Sequence, residues 1–179
     1  MTQIASTYAQ ALYTLAREEN LEVQILEEMS ALRQAFTEEP DYVRLLCAPN
    51  LSKQERCGVL DAGFRGRIQP YLLNFMKILT EKGHIRHFVD CCKAYERFYN
   101  EDHDILSVEA VSAVELSQQQ REKLVQKLSA ITGKTVSLQN RVDPSLLGGL
   151  RLDYDGKRID GTVRSRLDKV RDLLKNTVL

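Results

Sequence analysis

Near residue 104 the spacing of apolar residues changes from a helical repeat to a strand-like one, and a chain that switches period cannot be one bundle or one sheet throughout. Upstream, Ile4, Tyr8, Ala11 and Leu15 step by four, three and four, and Ile25, Met29, Leu32 and Phe36 do the same. That is the repeat of amphipathic helices. Pro40 suits the first turn of a short third helix. Ser52 and Glu55 have the spacing of a capping box, in which each side chain satisfies an orphan backbone N–H, and they start a fourth helix that reaches Phe64. The fifth segment, PYLLNFMKILTEKG, is apolar almost all round, interrupted mainly by Asn74 and Lys77, and Gly83 supplies a left-handed cap. Ile85, Phe88, Cys92, Tyr95 and Tyr99 form the stripe of a sixth helix.

Beyond the acidic break NEDHD the run ILSVEAVSAV reads as a strand. Ser117 with Gln120 caps a helix carrying Leu124, Leu128 and Ile131, Gly133 closes it, and TVSLQNRV is a second strand. Leu150, Leu152 and Tyr154 then alternate with Arg151, Asp153 and Asp155, the period of a half-buried strand. Asp155-Gly156 is a type I′ hairpin signal, with a short return strand ending at Ile159. Asp160 is placed to cap a last helix with the stripe Val163, Leu167, Val170 and Leu174. The expected fold class is α+β: an N-terminal six-helix bundle over 1–104, followed by a small C-terminal α/β domain over 105–179.

Several classes of chemistry are disfavoured. No apolar run approaches the roughly 18 residues a membrane helix needs, and the amino end has neither a basic n-region nor an apolar h-region. The chain is expected to stay where it is made, without inserting into a membrane. Gly133-Lys134-Thr135 resembles the tail of a phosphate-binding loop, but position 128 is Leu rather than the required Gly, and the order is helix then strand rather than the reverse. His84 and His87, read as one side of the sixth helix with Cys91 a turn further on, lack a fourth ligand and are expected to be surface histidines. The cysteines at 47, 57, 91 and 92 have no zinc or disulfide spacing; Cys47 and Cys92 fall on apolar stripes, where a free thiol packs as a small hydrophobe.

The last helix is basic, with Arg164, Arg166, Lys169 and Arg171, yet Asp168 and Asp172 interrupt it, so no nucleic-acid partner is expected. Adjacent carboxylates such as Glu18-Glu19 and Glu38-Glu39 point apart on a helix. No nucleophile elbow, HExxH or dinucleotide fingerprint occurs. The reading is a protein with no active site, cofactor or metal of its own. Net charge is zero, but residues 1–104 carry 12 bases and 16 acids while 105–179 carry 13 and 9. Halves of opposite charge suit different partners. A helical bundle of this kind suits an amphipathic partner helix, received in a groove between two of its own.

YAQAL near the start, LLNFMKILTEKGHI in the middle and GGLRLDYDGKRIDGTVRSRLDKVRDLL near the end closely resemble the delta subunit of F-type ATP synthase, the oligomycin-sensitivity-conferring protein of mitochondria. Length and domain order agree, and the closing motif is the specific part. The resemblance implies a non-catalytic stator subunit linking the catalytic head to the peripheral stalk, so that the head does not turn with the rotor. It implies that the amino-terminal bundle holds the amino-terminal helix of an alpha subunit between its first and fifth helices, and that the carboxyl-terminal domain grips b-type subunits of the stalk. Carried over by position, the groove involves Tyr8 and Ala11 with Asn74 and Ile78; helical spacing adds Leu15 and Leu79. Gly148-Gly149 and Asp160-Gly161 are expected to be structural. The implied location is peripheral to a bacterial inner membrane, on its cytoplasmic side. A helical adaptor that binds an amphipathic helix of an unrelated partner is the alternative.

Overall fold

A computed structural model of the chain describes residues 3–48, 50–154 and 156–165. It mixes helix and sheet, and it divides into two compact units, Met1–Tyr99 and Asn100–Leu179.

The first unit contains helices α1 (Gln3–Glu18), α2 (Glu22–Glu38), α3 (Pro40–Leu46), α4 (Lys53–Phe64) and α5 (Pro70–Glu81), a 3₁₀ turn at Ile85–His87, and α6 (Phe88–Asp102), whose last turn runs past the division. Their boundaries follow local chemistry. Ser52 Oγ accepts from the Glu55 N–H at 3.2 Å while Glu55 Oε2 accepts from the Ser52 N–H at 2.7 Å, closing the capping box of α4. Two backbone bonds end α5, from the Gly83 N–H to Thr80 O (3.1 Å) and from the His84 N–H to Leu79 O (2.7 Å). This is the Schellman pattern, and it needs the left-handed φ of 73° found at Gly83. Ser52→Ala should cost about 1 kcal/mol, read as a lower denaturant midpoint at unchanged m.

Ile25, Met29, Leu60, Leu72, Met76, Phe88 and Tyr95 fill the core of this unit at 1% exposure or less. Each apolar side chain so buried contributes about 1.5–3 kcal/mol before chain entropy is subtracted. Tyr95 meets Tyr13 edge-on, with ring centroids 5.3 Å apart, and donates its hydroxyl to Glu22 O at 3.1 Å. Burial pushes that phenol up from its ordinary value. Cys91 and Cys92 are also interior, as expected of Cys92, and burial pushes the Cys91 thiol up to about 12. Cys47 departs from its expected place on an apolar stripe. It follows α3 as the C-cap residue and is exposed, because α3 stops one residue earlier at Leu46, which takes the core position. A maleimide should therefore label Cys47 in the native protein and reach Cys91 and Cys92 only on unfolding, a pattern that mass spectrometry of digests reads directly.

In the second unit β1 (Ile105–Ser112) runs parallel to β2 (Thr135–Val142), joined by α7 (Gln118–Thr132). β3 (Leu150–Tyr154) pairs antiparallel with β1 and with β4 (Lys157–Asp160), giving the order β2-β1-β3-β4. Ser117 and Gln120 close the capping box of α7 as expected. Leu106, Val108, Ala110, Leu128 and Leu152 form a small core between the helix and one sheet face. Asn140 ties that face to the β1–α7 connection: its amide donates to Ala110 O and Ser112 Oγ, both at 2.9 Å, and its carbonyl accepts from the Leu116 N–H at 2.9 Å.

The other face carries Asp153, which accepts from Arg158 Nε at 2.7 Å and Arg151 Nε at 3.1 Å. The Arg158 hydrogen bond, aided by the charges of both guanidiniums, holds its carboxyl below the usual carboxylate range. A carboxyl depressed in the folded state contributes stability that is complete above its unfolded value of about 3.9 and disappears as pH falls through the folded one. Acid titration of the parent against Asp153→Asn should show less loss in the variant below that pH.

Two expectations change, one at the carboxyl end and one at the histidines. Asp160 does not cap the last helix: its carboxylate takes the Thr162 N–H (2.9 Å) and Thr162 hydroxyl (2.7 Å), and Thr162 Oγ1 in turn accepts from the Ser165 N–H at 3.2 Å. Thr162 is the cap, because helical backbone begins at Val163. The remaining stripe positions Leu167, Val170 and Leu174, and Asp155 of the hairpin signal, lie outside the described residues. His84 precedes and His87 closes the 3₁₀ turn before α6, so neither belongs to the helix, since the chain leaving Gly83 tightens before Phe88.

Candidate partner-binding surface

Helix α1 carries two apolar stripes. Ala5, Ala9, Leu12 and Ala16 are buried. The second stripe, Ile4, Tyr8, Ala11 and Leu15, lies roughly a third of a turn away at 100° per residue. Tyr8 and Leu15 are half-buried, and Ile4 and Ala11 are exposed. Tyr8 packs in part against the core, while exposed Ile4 and Ala11 leave much of this second stripe uncovered, more apolar surface than a helix with one buried stripe presents.

Helix α5 packs beside α1 and buries Leu72, Leu73, Phe75, Met76, Leu79 and Thr80. Thr80 is interior without penalty because its hydroxyl donates to Met76 O at 2.8 Å. The exposed remainder is narrow, although the sequence reads as apolar almost all round. Asn74 is exposed, Ile78 is 46% exposed, and Tyr71, seven residues before Ile78, is half-buried. Lys77 turns toward α4, where its ammonium meets Asp61 at 2.6 Å. That hydrogen bond is the largest of the influences that lower the Asp61 carboxyl from its ordinary value.

Three contacts show that the helices run antiparallel. The Tyr8 ring lies 6.0 Å from the His84 ring, so the start of α1 stands beside the end of α5. At the other end Glu28 of α2 accepts the Gln69 N–H at 2.7 Å, and the Gln69 amide donates to Gln24 at 3.0 Å, so the chain leaving α1 returns to the start of α5. Gln69 has no side-chain cap of its own, and Glu28 supplies a carboxylate at the amino end of α5, where the helix dipole favours it.

Of the six residues expected at a helix-binding groove, Tyr8, Ala11, Leu15, Asn74 and Ile78 reach the surface of these two helices. Leu79 does not: it has 0% exposure and belongs to the core, because one residue along a helix is a rotation of about 100° and Ile78 already occupies the outer side. Ile4, which heads the α1 stripe, and Tyr71 are not among those six, though each continues a stripe by four or seven residues and so had a signal in the sequence.

The glycine pair of the second unit makes a backbone crossing. The Gly161 N–H donates to Leu150 O and the Val163 N–H donates to Gly148 O, each at 3.0 Å. Between these bonds a Cβ added to Gly149 would stand 2.6 Å from Gly161 O and 2.7 Å from Thr162 Cα. Asp160, through its bonds to Thr162, fixes the strand-to-helix turn that Gly149 faces.

Among the described residues no group of three or more His, Cys, Asp or Glu is arranged to hold a metal ion. The His84 and His87 rings are 6.3 Å apart, but Cys91 is buried away from solvent. Nor, among the described residues, is any helix long and apolar enough to cross a membrane.

Residues 4–174 match the family model described as the ATP synthase delta (OSCP) subunit. The chain is 31% identical over 176 residues to the ATP synthase subunit delta of Clostridioides difficile (strain 630), covering 98% of this chain and 97% of the relative. It is 34% identical over 173 residues to the ATP synthase subunit delta of Lactobacillus gasseri, covering 96% and 94%. Its fold matches a chain in the cryo-EM structure of the Toxoplasma gondii mitochondrial ATP synthase hexamer with a TM-score of 0.79, over 97% of this chain and 98% of that one, at 18% identity.

Proposed function

The chain belongs to the ATP synthase delta (OSCP) subunit family, and from that membership we propose that its α1–α5 surface seats the amino-terminal helix of an alpha subunit while its sheet-bearing unit binds b-type subunits of the stalk. It is a non-catalytic subunit of F-type ATP synthase and a component of the peripheral stalk. An adaptor unrelated to the synthase is not favoured, because the match extends through both units.

The observations that carry the alpha-helix reading are the second apolar stripe of α1, whose Tyr8 meets His84 just past the end of α5, and the exposed Ile78 on α5, the helix packed beside it. A partner helix would cover both, and small Ala11 would let it approach closely. The first unit is then a six-helix bundle that grips the head, spanning residues 1–104, and residues 105–179 form the stalk-binding domain. Gly148, Gly149, Asp160 and Gly161 hold the turn between β4 and the helical segment after it. Location follows from assembly: a peripheral part of the complex, placed by this reading on the cytoplasmic side of a bacterial inner membrane.

The physics suits a stator. A joint under continuous torque needs slow dissociation, which buried apolar area provides at about 25 cal/mol per Å² before association costs. Two joints on one molecule add avidity through effective concentration. Calorimetric titration of the full chain with a peptide of the alpha amino-terminal helix from the same organism tests the reading, with a scrambled peptide as control. Saturable one-to-one binding is expected; its absence both for the peptide and for the intact head would defeat the assignment.

A further inference from the structure

The two stripes that frame the α1–α5 surface do not end alike. On α1 the series Ile4, Tyr8, Ala11 and Leu15 runs on to Glu18 and Glu19, both exposed. On α5 the series Tyr71, Asn74 and Ile78 runs on at helical spacing to Lys82, the exposed C-cap residue, and then to His84 against Tyr8. Because the helices are antiparallel, the carboxylates and the ammonium lie at opposite ends of the same apolar strip. Two neighbouring charges are engaged elsewhere. Glu81 turns toward α4, where it accepts from the Cys57 thiol at 3.8 Å, and Lys77 is paired with Asp61. Arg86, exposed in the 3₁₀ turn, adds to the basic end, whereas Arg17 projects from α1 roughly 150° away from the centre of the apolar stripe.

Resting on the reading that this surface takes a partner helix, we propose that it selects that helix by charge polarity as well as by apolar area. It takes an amphipathic helix whose apolar stripe has a carboxylate at one end and a base about eleven residues away, with the carboxylate at Lys82 and the base at Glu18 and Glu19. The spacing follows from the strip: α5 advances eleven residues from Tyr71 to Lys82, about 16 Å at 1.5 Å per residue, and a helix laid along it advances equally. Side-chain charges decide the polarity because each exceeds the roughly half-charge of a helix end. Charges at the rim of an apolar contact chiefly set partner choice and register.

The test is calorimetric titration, at low ionic strength, of the full chain with three designed amphipathic peptides sharing one apolar stripe: acid and base at opposite ends, acid at both, and base at both. The parent should bind the mixed peptide about three- to tenfold tighter than either of the others. Lys82→Glu should shift the preference to the doubly basic peptide, and Glu18→Lys with Glu19→Lys to the doubly acidic one. High salt should compress every preference. Equal affinities across peptides and variants would overturn the polarity while leaving the surface as a helix site. Failure of all three peptides, of the alpha peptide and of the intact head to bind would overturn both, and binding indifferent to Ile78→Glu would overturn the polarity by placing the contact off this strip.

Discussion

Gly149→Ala is expected to destabilise the sheet-bearing unit by at least about 3 kcal/mol, a large effect for the addition of one methyl group. The added methyl would sit 2.6 Å from Gly161 O and 2.7 Å from Thr162 Cα, distances that real Cβ contacts do not show. Neither side can yield cheaply. Hydrogen bonds from Gly161 to Leu150 and from Val163 to Gly148 bracket the contact, and φ at Gly149 is 88°, which an L-residue adopts only with strain. Among the described residues the core that must absorb the loss is small, with five buried apolar residues between α7 and the sheet. Gly83→Ala is the control: φ is 73° there too, but nothing lies within 4 Å of an added Cβ, so a loss of about 1 kcal/mol is expected. Hydrogen exchange reads the difference, with β1 and β3 amides losing most of their protection in Gly149→Ala and little in Gly83→Ala. Protection in Gly149→Ala equal to the parent's would show that the crossing relaxes freely.

The second large effect separates two adjacent residues. Ile78→Glu should lower affinity for the alpha-helix peptide by at least tenfold, about 1.4 kcal/mol, because a carboxylate would replace a 46% exposed apolar side chain at the middle of the proposed contact. Stability should move by no more than about 0.5 kcal/mol, as for an ordinary surface substitution. Leu79→Ala should do the reverse. Leu79 has 0% exposure, and truncating a buried leucine costs about 2–5 kcal/mol. Its peptide affinity, measured well below the melting transition, should stay within about twofold of the parent. Unchanged affinity in Ile78→Glu would place Ile78 outside the contact, and a binding loss in Leu79→Ala larger than that in Ile78→Glu would reverse the assignment of faces.

Leu79 also marks where sequence reasoning stopped. Ser52, Ser117 and the closing Gly83 are signals that act within a turn or two of themselves, so the helix ends they set could be read directly. The second stripe of α1 was legible for the same reason, since periodicity along one helix shows that apolar residues share a side. What periodicity does not show is which side meets the core. On α5, where nearly every side is apolar, the seating of neighbouring helices decides, and it leaves Ile78 outside and Leu79 in.

Longer-range polar contacts were illegible altogether. Asn140 looks like any alternating polar strand residue, yet it holds the Leu116 backbone 24 residues away, and Glu28 reads as a surface acid while it caps α5 from 41 residues away. Cys47 and Asp160 were misplaced by a shift of one or two residues, which on a helix end exchanges a buried position for an exposed one.

By itself, then, the sequence determined the order of the main elements, the caps at Ser52, Ser117 and Gly83, the change from helices to a small sheet unit, and, through its closing motif, the family. Those are properties of short windows, governed by backbone hydrogen bonds and the 3.6- and 2-residue periods. Only the tertiary structure decided which apolar residues remain outside and that α1 and α5 lie antiparallel with unlike charges at their ends. It alone showed that Gly149 is required by a backbone crossing. Each of these depends on segments far apart in the chain, whose packing no local period encodes.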